Sequence, residues 1–124
     1  MTTLLQDARI SLLVVPECPN ADLATEVLRE ALALVGHQGA AFTTVVVEGD
    51  DHAALLGFTG SPSFHLDGRD LLPTGHPPSL ACRLYSGVLG RLQGVPTVLE
   101  LTRALLSADP EARERLVLDR DTRP

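Results

Sequence analysis

The stretch Ile10-Ser11-Leu12-Leu13-Val14-Val15-Pro16-Glu17-Cys18-Pro19-Asn20-Ala21 decides the fold. Its first half, extended back to Arg9, is short, rich in β-branched residues and almost continuously apolar. That is the pattern of a strand buried on both faces. Pro16 ends the strand, because proline has no N–H to give to a sheet ladder. Pro19 suits the first position of a helix, where the missing N–H is not needed. This predicts a helix over residues 19–35 with Cys18 as its N-cap. Asp22 falls in the first turn, where a carboxylate complements the helix dipole. Leu23, Val27, Leu28, Ala31, Leu34 and Val35 recur at helical spacing, and Gly36 supplies a left-handed stop.

The rest of the chain follows from this unit. Residues 42–47 read as a second strand, parallel to the first because a helix joins them. Residues 50–56 read as a short helix capped by Asp50 or Asp51 and stopped by Gly57. Residues 63–66 form a third strand, Asp67-Gly68 is a hairpin turn signal, and residues 70–72 begin the return strand. The glycine- and proline-rich residues 73–94 read as one long loop, a type that often carries function. Residues 96–106 close the chain as an amphipathic helix, with Val98, Leu101, Leu105 and Leu106 facing inward. The order β-α-β-α-β-β-α predicts an α/β domain of three layers, α/β/α, around a four-stranded mixed sheet. The domain spans residues 1–108, and residues 109–124 form a charged tail read as a frayed helix or a disordered segment.

Composition narrows the function. The 124 residues suit one domain, and 44% hydrophobic with 21% charged residues is a globular balance. The aromatic residues are Phe42, Phe58, Phe64 and Tyr85, so the core is built from Leu, Val and Ala. The formal net charge is -6, and all 10 fixed cations are arginines. Lysine-based catalysis is excluded. An acidic chain with scattered Arg offers no stripe for nucleic acid and no polybasic segment for a membrane. No apolar run reaches the roughly 18 residues of a membrane span, and residues 1–7 lack the pattern of a signal peptide. The expected location is the cytoplasm, where two cysteines stay reduced unless they cycle or bind metal.

The histidines and glycines add no motif. His37, His52, His65 and His76 share no ligand spacing, and structural or surface roles are expected for them. The glycine-rich residues 87–94 lack the Lys and the preceding strand of a phosphate loop.

The order of elements, with Cys18 at a helix start and Thr59-Gly60-Ser61-Pro62-Ser63-Phe64 leading into a hairpin, resembles the thioredoxin fold family. The likeness runs from Arg9 to Leu106. It implies that Pro62 is a cis-proline beside an active Cys18, with Pro19, Asn20 and Ser61 lining the site. The family's Cys-x-x-Cys is here Cys18-Pro19-Asn20-Ala21, so the second thiol is missing from its usual place. Cys82, in the long loop, is the available substitute, and Arg83 beside it is a candidate to stabilise a thiolate. A thiol at a helix N-terminus is favoured as thiolate, while Glu17 next to it acts in the opposite sense. The Cys-Pro-Asn start, the Gly-Phe-x-Gly-Ser-Pro segment and Cys-Arg-x-Tyr also resemble small bacterial proteins described as alkylmercury-lyase-like. That likeness implies a soft metal or organomercurial held between Cys18 and Cys82, with Glu17 or Asp67 as the acid.

Three functions remain open on the sequence. The first is thiol–disulfide exchange at Cys18, resolved by Cys82. The second is soft-metal or organomercurial binding by the same pair. The third is a non-catalytic interaction module in which each Cys is a small packing residue. No cofactor is implied. The expected partners are a thiol, disulfide or other small molecule, and a second copy of the chain as a homodimer.

Overall fold

The computed structural model describes residues 10–37 and 39–108. β1 (Ile10–Val14) lies inside a four-stranded sheet of order β2-β1-β3-β4. β2 (Thr43–Val46) runs parallel to it, with Ser11 opposite Thr43 and Val14 opposite Val46. β3 (Ser63–Leu66) runs antiparallel on the other side, with Leu12 opposite Phe64. β4 (Arg69–Asp70) pairs antiparallel with β3. Asp67 and Gly68 join them with φ of 52° and 82°. Such a two-residue turn matches the twist of the strands it joins.

Side-chain alternation along β1 builds two cores. Ile10, Leu12 and Val14 face one side, where Ala24, Val27, Leu28, Ala31 and Leu32 of α1 (Ala21–Leu34) meet Leu101 and Leu105 of α3 (Val98–Ala108). Phe64 of β3 joins them. Leu13 faces the opposite side, against Val47, Phe58 and Ala53 of α2 (Asp50–Leu56). The sheet is therefore a middle layer with α1 and α3 on one face and α2 on the other. Burying each large aliphatic side chain contributes about 1.5–3 kcal/mol.

Several boundaries differ from the expectation. The first helix begins at Ala21 with Asn20 as its N-cap, so Cys18 stands two residues before the cap. The chain first makes a tight turn. Cys18 N–H donates to the Val15 carbonyl at 3.3 Å, and Ala21 N–H donates to the Cys18 carbonyl at 3.2 Å. Glu17 takes a left-handed φ of 58° within it. The buried stripe of α1 runs through Ala24, Val27, Leu28, Ala31, Leu32 and Val35, and leaves Leu23 and Leu34 exposed at its borders. The helix ends one residue early, at Leu34. Gly36 (φ 87°) lets its own N–H reach the Ala33 carbonyl and His37 N–H reach the Leu32 carbonyl. That pair of bonds closes a helix with few orphan carbonyls.

Gly49, not Asp50 or Asp51, is the cap of α2, and both aspartates lie in its first turn. Thr97 caps α3, its Oγ1 accepting Glu100 N–H at 3.0 Å, so that helix starts at Val98 rather than 96. The expected loop over residues 73–94 contains a hairpin of β5 (Tyr85–Ser86) and β6 (Leu92–Gln93). These strands are too short to show an alternating pattern. The predicted strand start at Arg9 and the predicted tail, residues 109–124, lie outside the described residues. Among the described residues, no helix is long and apolar enough to cross a membrane.

Candidate functional site

Ser61 is the residue that joins the two cysteine-bearing segments. Its side chain turns toward the end of β1, where Oγ accepts Val15 N–H at 3.0 Å. Its backbone serves the other segment. Ser61 N–H donates to the Ala81 carbonyl, and the Ser61 carbonyl accepts Arg83 N–H, both at 2.9 Å. Together these bonds make a parallel bridge between Ser61 and Cys82. Cys18 follows Val15 by one turn of chain, so both thiols belong to segments that bond directly to Ser61. The Ser61–Pro62 peptide bond is cis, the isomer expected for Pro62.

The two thiols differ in setting. Cys18 is half-buried and packs against the main core, whereas Cys82 is exposed. Pro19 is exposed and Asn20 half-buried. The Asn20 side chain occupies the space that a Cβ on Gly94 would take. The β5–β6 hairpin therefore leaves from beside Cys82 and returns to the N-cap residue that follows Cys18. Gly60 permits a second close approach. Its φ is 140°, and a Cβ there would lie 3.0 Å from Arg83 Cβ and 3.2 Å from the Ala81 carbonyl.

Behind Cys82 lies a buried polar network. Arg83 is 6% exposed, and its Nη1 pairs with Asp70 Oδ2 at 2.8 Å and reaches Ser63 Oγ at 3.2 Å. Nη2 donates to the Leu72 carbonyl, and the guanidinium lies 4.7 Å from the Tyr85 ring centre. Arg83 therefore directs its charge inward, onto Asp70. Tyr85 packs edge-on to Phe64 and donates its hydroxyl to the Pro62 carbonyl, which ties the hairpin to the site. Burial pushes the Tyr85 phenol far above its ordinary range. His65, 3% exposed and opposite Asp70 in the sheet, has its pKa lowered, chiefly by burial.

The two candidate acids are placed very differently. Glu17 is exposed and adjacent in sequence to Cys18. Asp67 lies in the β3–β4 turn, next to Leu66, which pairs with Ile10 at the opposite end of β1 from Cys18. A five-residue strand separates those ends by roughly 15 Å. Asp67 is therefore not brought to the thiols. A groove of about 970 Å³ between β4 and α3 is lined by Asp67, Arg69, Asp70, Glu100 and Arg103 but by neither cysteine. Among the described residues, no group of three or more His, Cys, Asp or Glu side chains can hold a metal ion.

Of the residues expected from sequence, Cys18, Ser61, Pro62 and Cys82 fall on segments that bond to one another through Ser61. Sequence reasoning missed Asp70, Ser63 and Tyr85 as supports of the Cys82 segment, and Gly60 and Gly94 as close-approach positions. Asp70 and Arg83 are 13 residues apart with no periodic relation, so no local pattern links them. No protein-family model matches the chain, and no curated protein or solved structure shows significant similarity to it.

Proposed function

We propose that this is a thioredoxin-like thiol protein that exchanges disulfides with a substrate, using Cys18 as nucleophile and Cys82 as resolving thiol. One observation carries the reading. Ser61 bonds through its side chain to the segment leading into Cys18 and through its backbone to the segment holding Cys82. The strand and helix order, the cis bond at Pro62 and the half-buried setting of Cys18 support the same reading.

The chemistry needs only sulfur. A Cys18 thiolate attacks one sulfur of a substrate disulfide. A mixed disulfide forms, the substrate bond breaks, and the leaving thiolate takes a proton. The Cys82 thiolate then attacks the Cys18 sulfur and expels the second substrate thiol. The substrate gains two electrons and two protons, and the chain is left with a Cys18–Cys82 disulfide. An external dithiol resets it.

The test is oxidation of the reduced protein with a slight excess of oxidised glutathione, followed by intact-mass and peptide mapping under non-reducing conditions. A monomer that has lost two hydrogens, with Cys18 and Cys82 in one cross-linked peptide pair, is expected. Glutathione adducts that never resolve to that bond, or disulfides only between chains, would rule out the two-thiol mechanism. The same pair of thiolates suits a soft, two-coordinate ion such as Hg(II). Titration of the Cys82→Ser variant separates a paired site, which loses its tight equivalent, from binding at one thiol.

A further inference from the structure

We propose that Arg83 is a positioning residue for the second thiol, acting through a clasp with Asp70 that closes the neck of the loop carrying Cys82. The inference rests on the two-thiol reading above. Residues 71–83 leave β4 and come back to Ser61. Leu71 N–H bonds the Phe64 carbonyl at 2.8 Å, and Ser79 N–H bonds the Phe58 carbonyl at 2.9 Å. The remaining backbone bonds described between this loop and the body are the two at Ser61.

The Arg83 side chain joins the two ends of that loop. It bonds the Leu72 carbonyl and Asp70 Oδ2 where the loop departs, and Ser63 Oγ on the neighbouring strand. The other Asp70 oxygen, Oδ1, accepts Leu72 N–H at 2.9 Å. One carboxylate and one guanidinium thus hold residues 70, 72 and 83 together. A planar guanidinium with several donors can satisfy these acceptors at once, which a lysine ammonium on its flexible stem does poorly. The pair is shielded, with side chains 5% and 11% exposed, so solvent and salt weaken it little.

The clasp also sets which way Cys82 points. In extended chain, successive side chains face opposite sides. Arg83 and Tyr85 are buried, and Cys82 and Leu84 are exposed. Drawing Arg83 inward therefore turns Cys82 outward. The absence of a side chain at Gly60 lets the Arg83 backbone close onto Ser61 and fixes the register of the bridge. Opening the clasp leaves Cys82 on a mobile loop and lowers its effective concentration at Cys18.

The measurement is the equilibrium of the full chain with glutathione. One oxidised glutathione converts the two chain thiols into the Cys18–Cys82 disulfide and leaves as two reduced glutathiones. The constant therefore reads the effective concentration of one thiol at the other. Arg83→Met and Asp70→Asn are expected to lower it by about tenfold or more, with Arg83→Lys in between. The Arg83→Met/Asp70→Asn double variant leaves neither buried charge unpaired, and it carries the test if a single variant fails to fold. The alkylation rate of Cys18 in a Cys82→Ser background reports whether the fold near Cys18 is intact, and is expected to be the same with and without Arg83→Met. Constants equal to the parent's in a folded variant would overturn the role of Arg83 and leave the two-thiol reading standing. A parent chain that forms no such disulfide overturns the reading first, and the role of Arg83 with it.

Discussion

His65 shows how a single side chain carries its surroundings into a measurable property. The sequence predicts a structural or surface role for it, and the structure buries it on β3 opposite Asp70, within electrostatic reach of Arg83. Burial disfavours its charged form more than the nearby Asp70 carboxylate favours it, and Arg83 adds to the burial effect. The folded chain therefore binds this proton more weakly than the unfolded chain does. As pH falls through the ordinary histidine value of about 6.5, the unfolded state takes up more protons and stability drops, until the lowered folded pKa is passed. Urea unfolding at pH 7.5 and 5.0 is expected to show this loss in the parent and a smaller loss in His65→Gln. Equal losses would assign the proton uptake to other groups. At this scale sequence is informative for Pro62 after Ser61, whose cis bond is the expected isomer, whereas Cys18 before Pro19 suggests a helix cap and stands instead in the turn ahead of Asn20. Sequence is silent on Asp70 and Arg83, whose meaning arises only when β4 and the Cys82 segment are brought side by side.

Elements were legible wherever their own residues determine them. β3 and α2 fall at residues 63–66 and 50–56 as expected, because alternation, turn residues and the Gly57 stop are all local. The start of α1 was displaced because a proline compatible with the first helical turn is equally compatible with the non-helical turn that precedes it here. The β5–β6 hairpin was missed because its strands contribute two residues each. The bridge at Ser61 belongs to no strand, yet it is the link on which the site depends. Gly60→Ala tests it. The new methyl would press on Arg83 Cβ and the Ala81 carbonyl, at a φ that L-residues rarely adopt. The expected cost is about 1–3 kcal/mol, read as a lower urea midpoint, together with faster hydrogen exchange at Arg83 N–H. An unchanged midpoint would mean that the two segments can separate at little cost.

For the whole molecule, the two cores divide the work. The face covered by α1 and α3 holds most of the buried aliphatic residues, and α2 covers a smaller cluster around Leu13 and Phe58. The thiol segments emerge where β1 gives way to α1 and where the chain returns from β4, so they depend on both faces of the sheet. The layered α/β arrangement was legible because strands and helices alternate in the sequence. The way one loop doubles back onto Ser61 was not, because it requires contacts between residues about twenty positions apart in the chain.

The segment Gly75-His76-Pro77-Pro78 is fully on the outside of the molecule, and it lies between Cys18 and Cys82 along the chain. A protease site engineered after Gly75 would cut the polypeptide into two pieces, each with one thiol. The packing of α3 against α1, the Ser61–Cys82 bridge and the Asp70–Arg83 contact span the cut, so the pieces are expected to remain associated under native conditions. If the thiols pair, oxidation would weld the pieces, and a denaturing gel would show one band without reductant and two with it. Two bands in both lanes would mean that no covalent link crosses the break. The exposed loop thus offers a cut at which pairing of the two thiols becomes visible on a gel.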